Sequence, residues 1–213
     1  MRDNPGLDAR FSAAIAELPL VAILRGVKPG EAVAIGRALV DAGWKLIEVP
    51  LNSPQPLQSI EALAEALPNA LVGAGTVLTP AAVRDVEAAG GRMVVAPNFD
   101  ADVVRETRRL GMLSLPGVLS PTEAFAALAA GAVALKLFPA ESIAPAVVKA
   151  LRAVLDPDVR ILPVGGITLD NMAAYRTAGA NGFGIGSSLY KPDMTAARVA
   201  ENAQRWAAAW AQT

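Results

Sequence analysis

The chain has 213 residues, 53% of them hydrophobic and 18% charged, with 19 Lys and Arg against 20 Asp and Glu for a formal charge of -1. Such a chain is too apolar to stay unfolded and too evenly charged to build a field for polyanions, which argues against disorder and against nucleic-acid binding. It contains no Cys and no His, so thiol and imidazole catalysis, Cys/His metal sites and disulfides are excluded together.

From the N-terminus, residues 1–20 interleave Arg2, Asp3, Asp8, Arg10 and Glu17 and lack the basic start and apolar centre of a secretion signal. Together with the absence of Cys this predicts a cytoplasmic protein. An extra helix is predicted over 7–17. Short runs rich in Val, Ile, Leu and Met then alternate with Ala-rich amphipathic stretches. The strand at 20–24 precedes a helix at 31–41, and the strand at 46–49 precedes one at 55–66. The same order continues with strand 70–74 and helix 81–89, strand 93–96 and helix 101–110, and strand 112–115 and helix 122–130. It ends with strand 133–137 and helix 145–155, strand 161–164 and helix 169–178, and strand 182–186 and helix 195–211. The longest uncharged run, 66–83, holds Pro68, Gly73, Gly75 and Pro80, so it is no membrane helix.

The helix ends agree with this order. Gly43, Gly90, Gly131 and Gly179 each follow an Ala, and Gly111 follows a Leu, where a left-handed residue ends a helix. Ser53, Thr79 and Ser120 each precede a proline, the pairing of an N-cap hydroxyl with a first-turn proline. Repeated strand-helix units imply buried parallel strands. Eight of them predict an α/β fold, a (β/α)8 TIM barrel formed as a single domain over residues 1–213, with the additional N-terminal helix closing its bottom. The alternative is an open doubly wound sheet, but no glycine-rich dinucleotide fingerprint follows the first strand.

In a barrel the reactive residues lie at the carboxyl ends of the strands, which selects Arg25, Glu48, Thr76, Asn98 and Lys136. Lys136 interrupts an otherwise apolar strand, where a charged amine is costly unless it is paired or loses its proton. It is therefore either a Schiff-base nucleophile or a lysine that reaches the strand end and holds an anion. Glu48 ends another apolar strand and reads as a proton shuttle, or as an ion-pair partner for Arg25 or Lys136. Gly165 and Gly166 follow the seventh strand, and Gly186 and Ser187 follow the eighth, where barrels build phosphate sites from backbone amides. Residues 73–76 (GAGT) form a second candidate anion seat or a helix cap. Arg105, Arg108 and Arg109 have the helical spacing of a solvated face, and Trp206 and Trp210 read as packing.

Residues 22–26 (AILRG), 47–55 (IEVPLNSPQ), 73–77 (GAGTV), 135–139 (LKLFP) and 164–166 (VGG) resemble the class I 2-keto-3-deoxy-6-phosphogluconate/galactonate aldolases, and the likeness runs over about residues 18–192. Gluconate enzymes of that family carry Leu-Arg-Thr within the second motif; here the position is Asn52, which shifts weight toward the galactonate substrate and toward Arg25 as the cationic anchor. The resemblance implies Lys136 as the Schiff-base lysine and Glu48 as the acid/base. It implies Arg25 and Thr76 at the keto-acid end, and Gly165, Gly166, Gly186 and Ser187 at the phosphate. It also implies a homotrimer acting on a small sugar-acid phosphate to release pyruvate, with no metal or cofactor. Two rival readings share the anion loops: a sugar-phosphate isomerase or epimerase, for which a chain without His is poorly equipped, and a non-catalytic sugar-phosphate-binding barrel.

Overall fold

The computed structural model of the chain describes residues 4–212; residues 1–3 and 213, which the sequence reading included, lie outside the described residues. Helix α1 (Pro5–Glu17) opens the chain and is followed by β1 (Leu20–Ile23), α2 (Pro29–Asp41), β2 (Leu46–Pro50), α3 (Pro56–Ala66), β3 (Leu71–Gly75) and α4 (Pro80–Ala88). Next come β4 (Met93–Val95), α5 (Ala101–Arg109), β5 (Leu113–Leu115), β6 (Gly117–Val118) and α6 (Pro121–Ala130). The chain ends with β7 (Leu135–Leu137), a short 3-10 turn (Ala140–Ser142), α7 (Pro145–Arg152), β8 (Ile161–Pro163), α8 (Met172–Thr177), β9 (Phe183–Ile185) and α9 (Ala196–Gln212). Among the described residues, no helix is long and apolar enough to cross a membrane.

All the strand pairs are parallel, in the orders β5-β4-β3-β2-β1-β9 and β6-β7-β8. The two groups are parts of one curled sheet. Pro116, which has no N–H to give to a ladder, separates β5 from β6. The segment leading into β7 bridges that break, since Val133 donates to the carbonyl of Ser114 at 3.0 Å and Lys136 to that of Pro116 at 3.0 Å. At the other edge β8 and β9 meet at the bridge between Val164 and Gly184. The result is a TIM-barrel-like curl of parallel strands with helices outside.

Burial on both faces explains why the strands carry almost nothing but apolar residues. One core lies between the sheet and the surrounding helices and includes Trp44, Ile60, Leu63 and Trp206. A second fills the inside of the curl at its amino end, where Leu7, Phe11 and Ala14 of α1 meet Val21, Leu46, Leu71, Met93 and Leu113 near the strand starts. The first helix is thus packed at the end opposite the carboxyl ends of the strands. Arg108, expected on a solvated face, is instead buried and binds Asp8 of α1 through two nitrogens at 3.1 and 3.2 Å. A guanidinium in that position is tolerated because Asp8 and the Met112 carbonyl satisfy it.

The helix stops have the conformation their glycines imply: Gly43, Gly90, Gly111, Gly131 and Gly179 all have positive φ. Thr79 and Ser120 cap α4 and α6 as expected, the latter in a capping box with Glu123. Ser53 does not cap α3. That helix starts at Pro56 after a left-handed Gln55, and the Ser53 hydroxyl accepts from the Gly26 amide at 2.9 Å.

Candidate active site

β7 places Lys136 between β6 and β8, opposite Gly117 and Leu162. The residue is only 6% exposed. Its Nζ stands 4.7 Å from the centroid of the Phe138 ring and has no hydrogen bond or ion pair among the described residues. Burial lowers the amine's pKa, Glu48 works against that by raising it, and Arg25 lowers it further. An amine in this setting is held toward its neutral, nucleophilic form.

Glu48 lies on β2 between Ile23 of β1 and Gly73 of β3 and is 1% exposed. Its Oε2 is buried without a hydrogen-bond partner. Burial pushes its pKa up to about 7, against the pull of Lys136 and then of Arg25. The alternative reading, an ion pair with either cation, is not met within salt-bridge distance among the described residues; the charges act on one another through space. A carboxyl that exchanges its proton near neutrality suits acid/base work.

Arg25 follows β1, and its Nη1 donates to Oδ1 of Asn52 at 2.8 Å. The turn after β1 is therefore laid against the turn after β2. Thr76, at the end of β3, has φ +57, a conformation that costs a β-branched residue free energy and that collects at functional sites. Asn98 is exposed after β4.

A cleft of about 380 Å³ opens at the carboxyl ends of β1, β7, β8 and β9. Arg25, Gly165, Gly166, Gly186 and Ser187 line it together. Gly165 and Gly166 have φ +101 and +66, so the loop after β8 turns in a way other residues would resist. Asn171 fixes that loop by donating to the Gly166 carbonyl at 2.8 Å and accepting from the Thr168 amide at 2.9 Å. Lys136, Glu48 and Thr76 do not line the cleft; Phe138, which does, connects it to Lys136.

Sequence reasoning missed Phe138, Tyr190 and Lys191, all of which line the cleft. Phe138 had a usable signal, since it stands two residues after Lys136 and so on the same side of an extended chain. Lys191 follows the last phosphate-type loop closely enough to have been counted with it. Tyr190 donates to Glu31 at 2.9 Å, a partner 159 residues away that no local pattern reveals.

The family described as KDPG and KHG aldolase matches residues 11–204. The chain belongs to this family. Over 188 residues, 88% of this chain and 89% of the other, it is 50% identical to a Rhizobium meliloti (strain 1021) protein named "Probable 2-dehydro-3-deoxy-6-phosphogalactonate aldolase". It is 45% identical to the Escherichia coli (strain K12) protein named 2-dehydro-3-deoxy-6-phosphogalactonate aldolase, over 91% of this chain and 95% of that one. A solved structure called "Native KDPGal structure" superposes with a TM-score of 0.90 at 45% identity, covering 92% of this chain and 96% of that chain. Membership in the KDPG and KHG aldolases makes the pairing of a desolvated lysine with a buried carboxyl the feature of the site that most needs a chemical account.

Proposed function

We propose that this chain is a class I aldolase that cleaves 2-dehydro-3-deoxy-6-phosphogalactonate to pyruvate and glyceraldehyde 3-phosphate, with Lys136 as nucleophile and Glu48 as acid/base. The observation that carries the reading is the desolvated Lys136 amine coupled to a buried Glu48 whose proton is held up to about 7. The names of these two relatives support the galactonate substrate over the gluconate one.

The neutral Lys136 amine adds to the C2 ketone, and loss of water gives an iminium. The Glu48 carboxylate takes the proton of the C4 hydroxyl. The C3–C4 bond breaks, its electrons neutralise the iminium nitrogen as an enamine, and the aldehyde leaves. Glu48 then returns its proton to C3, and water adds to the new iminium to release pyruvate and the free amine. Phe138, with its ring face 4.7 Å from Nζ, stabilises the cationic nitrogen. Arg25 and Thr76 hold the keto-acid end, and the loops of Gly165, Gly166, Gly186 and Ser187 receive the phosphate. That remote binding fixes C3 and C4 over the iminium.

The same reading takes residues 1–213 as one domain, a (β/α)8 barrel with α1 at its amino end, acting in the cytoplasm as a homotrimer. Analytical ultracentrifugation tests the oligomeric part.

Borohydride reduction with pyruvate tests the chemistry. A stable adduct is expected on Lys136, absent from Lys136→Ala; a cleavage-competent Lys136→Ala would overturn the assignment, and a non-catalytic binding barrel would give no adduct. Comparing pyruvate release from the two C4 epimers tests the substrate.

A further inference from the structure

We infer that Gly75 is a positioning residue for Glu48: the side chain missing at Gly75 is the space that the Glu48 carboxylate occupies. The inference rests on the proposed acid/base role of Glu48.

β2 and β3 run parallel, with Glu48 opposite Gly73 and Pro50 opposite Gly75. A Cβ at Gly75 would lie 1.7 Å from Oε2 of Glu48, 2.4 Å from its Cδ and 2.6 Å from Oε1, and these are the three atoms nearest to it. Real Cβ atoms essentially never approach another heavy atom within 3.0 Å. The Gly75 backbone lies outside the left-handed region, so its conformation alone would accept alanine. The neighbouring Gly73 is different, because a Cβ there would meet the backbone carbonyl oxygen of Met93 at 1.9 Å; that glycine serves the close approach of two strands. At Gly75 the obstacle is the functional carboxylate.

The Glu48 carboxylate accepts no side-chain or backbone hydrogen bond among the described residues, and Oε2 is fully buried. No donor therefore fixes its direction, and the shape of the surrounding wall must do so. A methyl group at position 75 would drive the carboxylate out of its seat and away from the proton it has to move, while leaving Lys136 on its own strand untouched.

One reaction isolates this effect. On the pyruvate iminium, Glu48 removes a methyl proton to give the enamine, and a deuteron picked up by the carboxyl from heavy water returns to the same carbon. Gly75→Ala should trap pyruvate on borohydride reduction to within about twofold of the parent, yet exchange the pyruvate methyl hydrogens at least about a hundredfold more slowly by NMR, the loss expected when a proton-transfer group is displaced. Thermal unfolding of the parent, Gly75→Ala, Glu48→Ala and the double variant supplies the steric test. The alanine at 75 should lower the midpoint when Glu48 is present and have no further effect when residue 48 is Ala.

Methyl exchange in Gly75→Ala within about threefold of the parent would overturn the proposal. So would an equal destabilisation with and without Glu48. If Gly75→Ala does not fold, a folded double variant supports the steric seat and an unfolded one overturns it. A parent that fails to trap pyruvate would sink the Lys136 reading, and the unfolding cycle would still judge Gly75.

Discussion

The Arg25 guanidinium is tied to Asn52, 2.8 Å from Nη1 to Oδ1, across two turns that otherwise belong to different strands. Asn52, in the turn after β2, thus holds an arginine that belongs to the turn after β1. Asn52→Ala should release Arg25 and cost about 1 kcal/mol of binding, the net range of one hydrogen bond, or roughly a fivefold rise in KM with kcat little changed. Steady-state cleavage kinetics read this directly, and a fall in kcat at constant KM would mean that Asn52 does not act by anchoring Arg25.

Glu48 gives the enzyme a pH signature. Its carboxyl rises from an ordinary 4.5 to about 7 in the fold because of burial. Between those values the folded protein keeps a proton that the unfolded chain has lost. The favourable contribution is therefore complete below about 4.5 and is lost as pH rises through about 7, an effect of about 3 kcal/mol. Glu48→Gln should flatten that part of the stability profile in denaturant titrations between about pH 5 and about pH 8. The same group should make kcat/KM fall as pH drops below about 7, since the proposed cleavage step needs the carboxylate form, and the Gln variant should lack that limb.

Removing Asp8 would leave the Arg108 guanidinium, 9% exposed, with the Met112 carbonyl as its remaining acceptor. Asp8 itself is 38% exposed, so we expect Asp8→Ala to cost roughly 2 kcal/mol, less than a fully buried pair would. Urea unfolding measures it, and adding Arg108→Met should recover most of the loss. A cost below about 0.5 kcal/mol would show that the bond does not tether α1.

Lys191 lines the cleft beside both glycine loops and has no ion pair among the described residues. If Lys191 acts as a point charge at the proposed phosphate seat, Lys191→Met should raise KM for the phosphorylated substrate about tenfold and weaken the salt dependence of cleavage. Pyruvate trapping should be unchanged. Equal effects on trapping and cleavage would place Lys191 outside phosphate recognition.

Much of this site could be read before any fold was known, because an ionisable residue in an apolar strand has few explanations. Lys136 and Glu48 stood out for that reason, and both are buried. The helix stops were legible because Gly43, Gly90, Gly131 and Gly179 answer to local backbone conformation. Ser53 does not cap α3 because its hydroxyl is claimed by the amide of Gly26, a tertiary partner in the turn after β1. Arg108 was misjudged for the same reason, its partner Asp8 lying 100 residues away. The left-handed Thr76 ran against the preference of its residue type, so no propensity argument finds it. The separate strand β6 beyond Pro116 is not legible in a pattern that ends at 115, because a proline reads locally as an ending.

Among the described residues the curl of the sheet closes between β8 and β9 at the bridge from Val164 to Gly184 and at the bond from the Asn181 amide to the Ile161 carbonyl, 2.9 Å, and the two loops assigned to the phosphate leave the sheet beside that bridge, at Gly165 and at Gly186. An anion held by both would fasten the wall at this short pairing. Substrate would thus complete the cylinder as well as enter it, and inorganic phosphate alone should raise the melting temperature and slow amide exchange along β8 and β9.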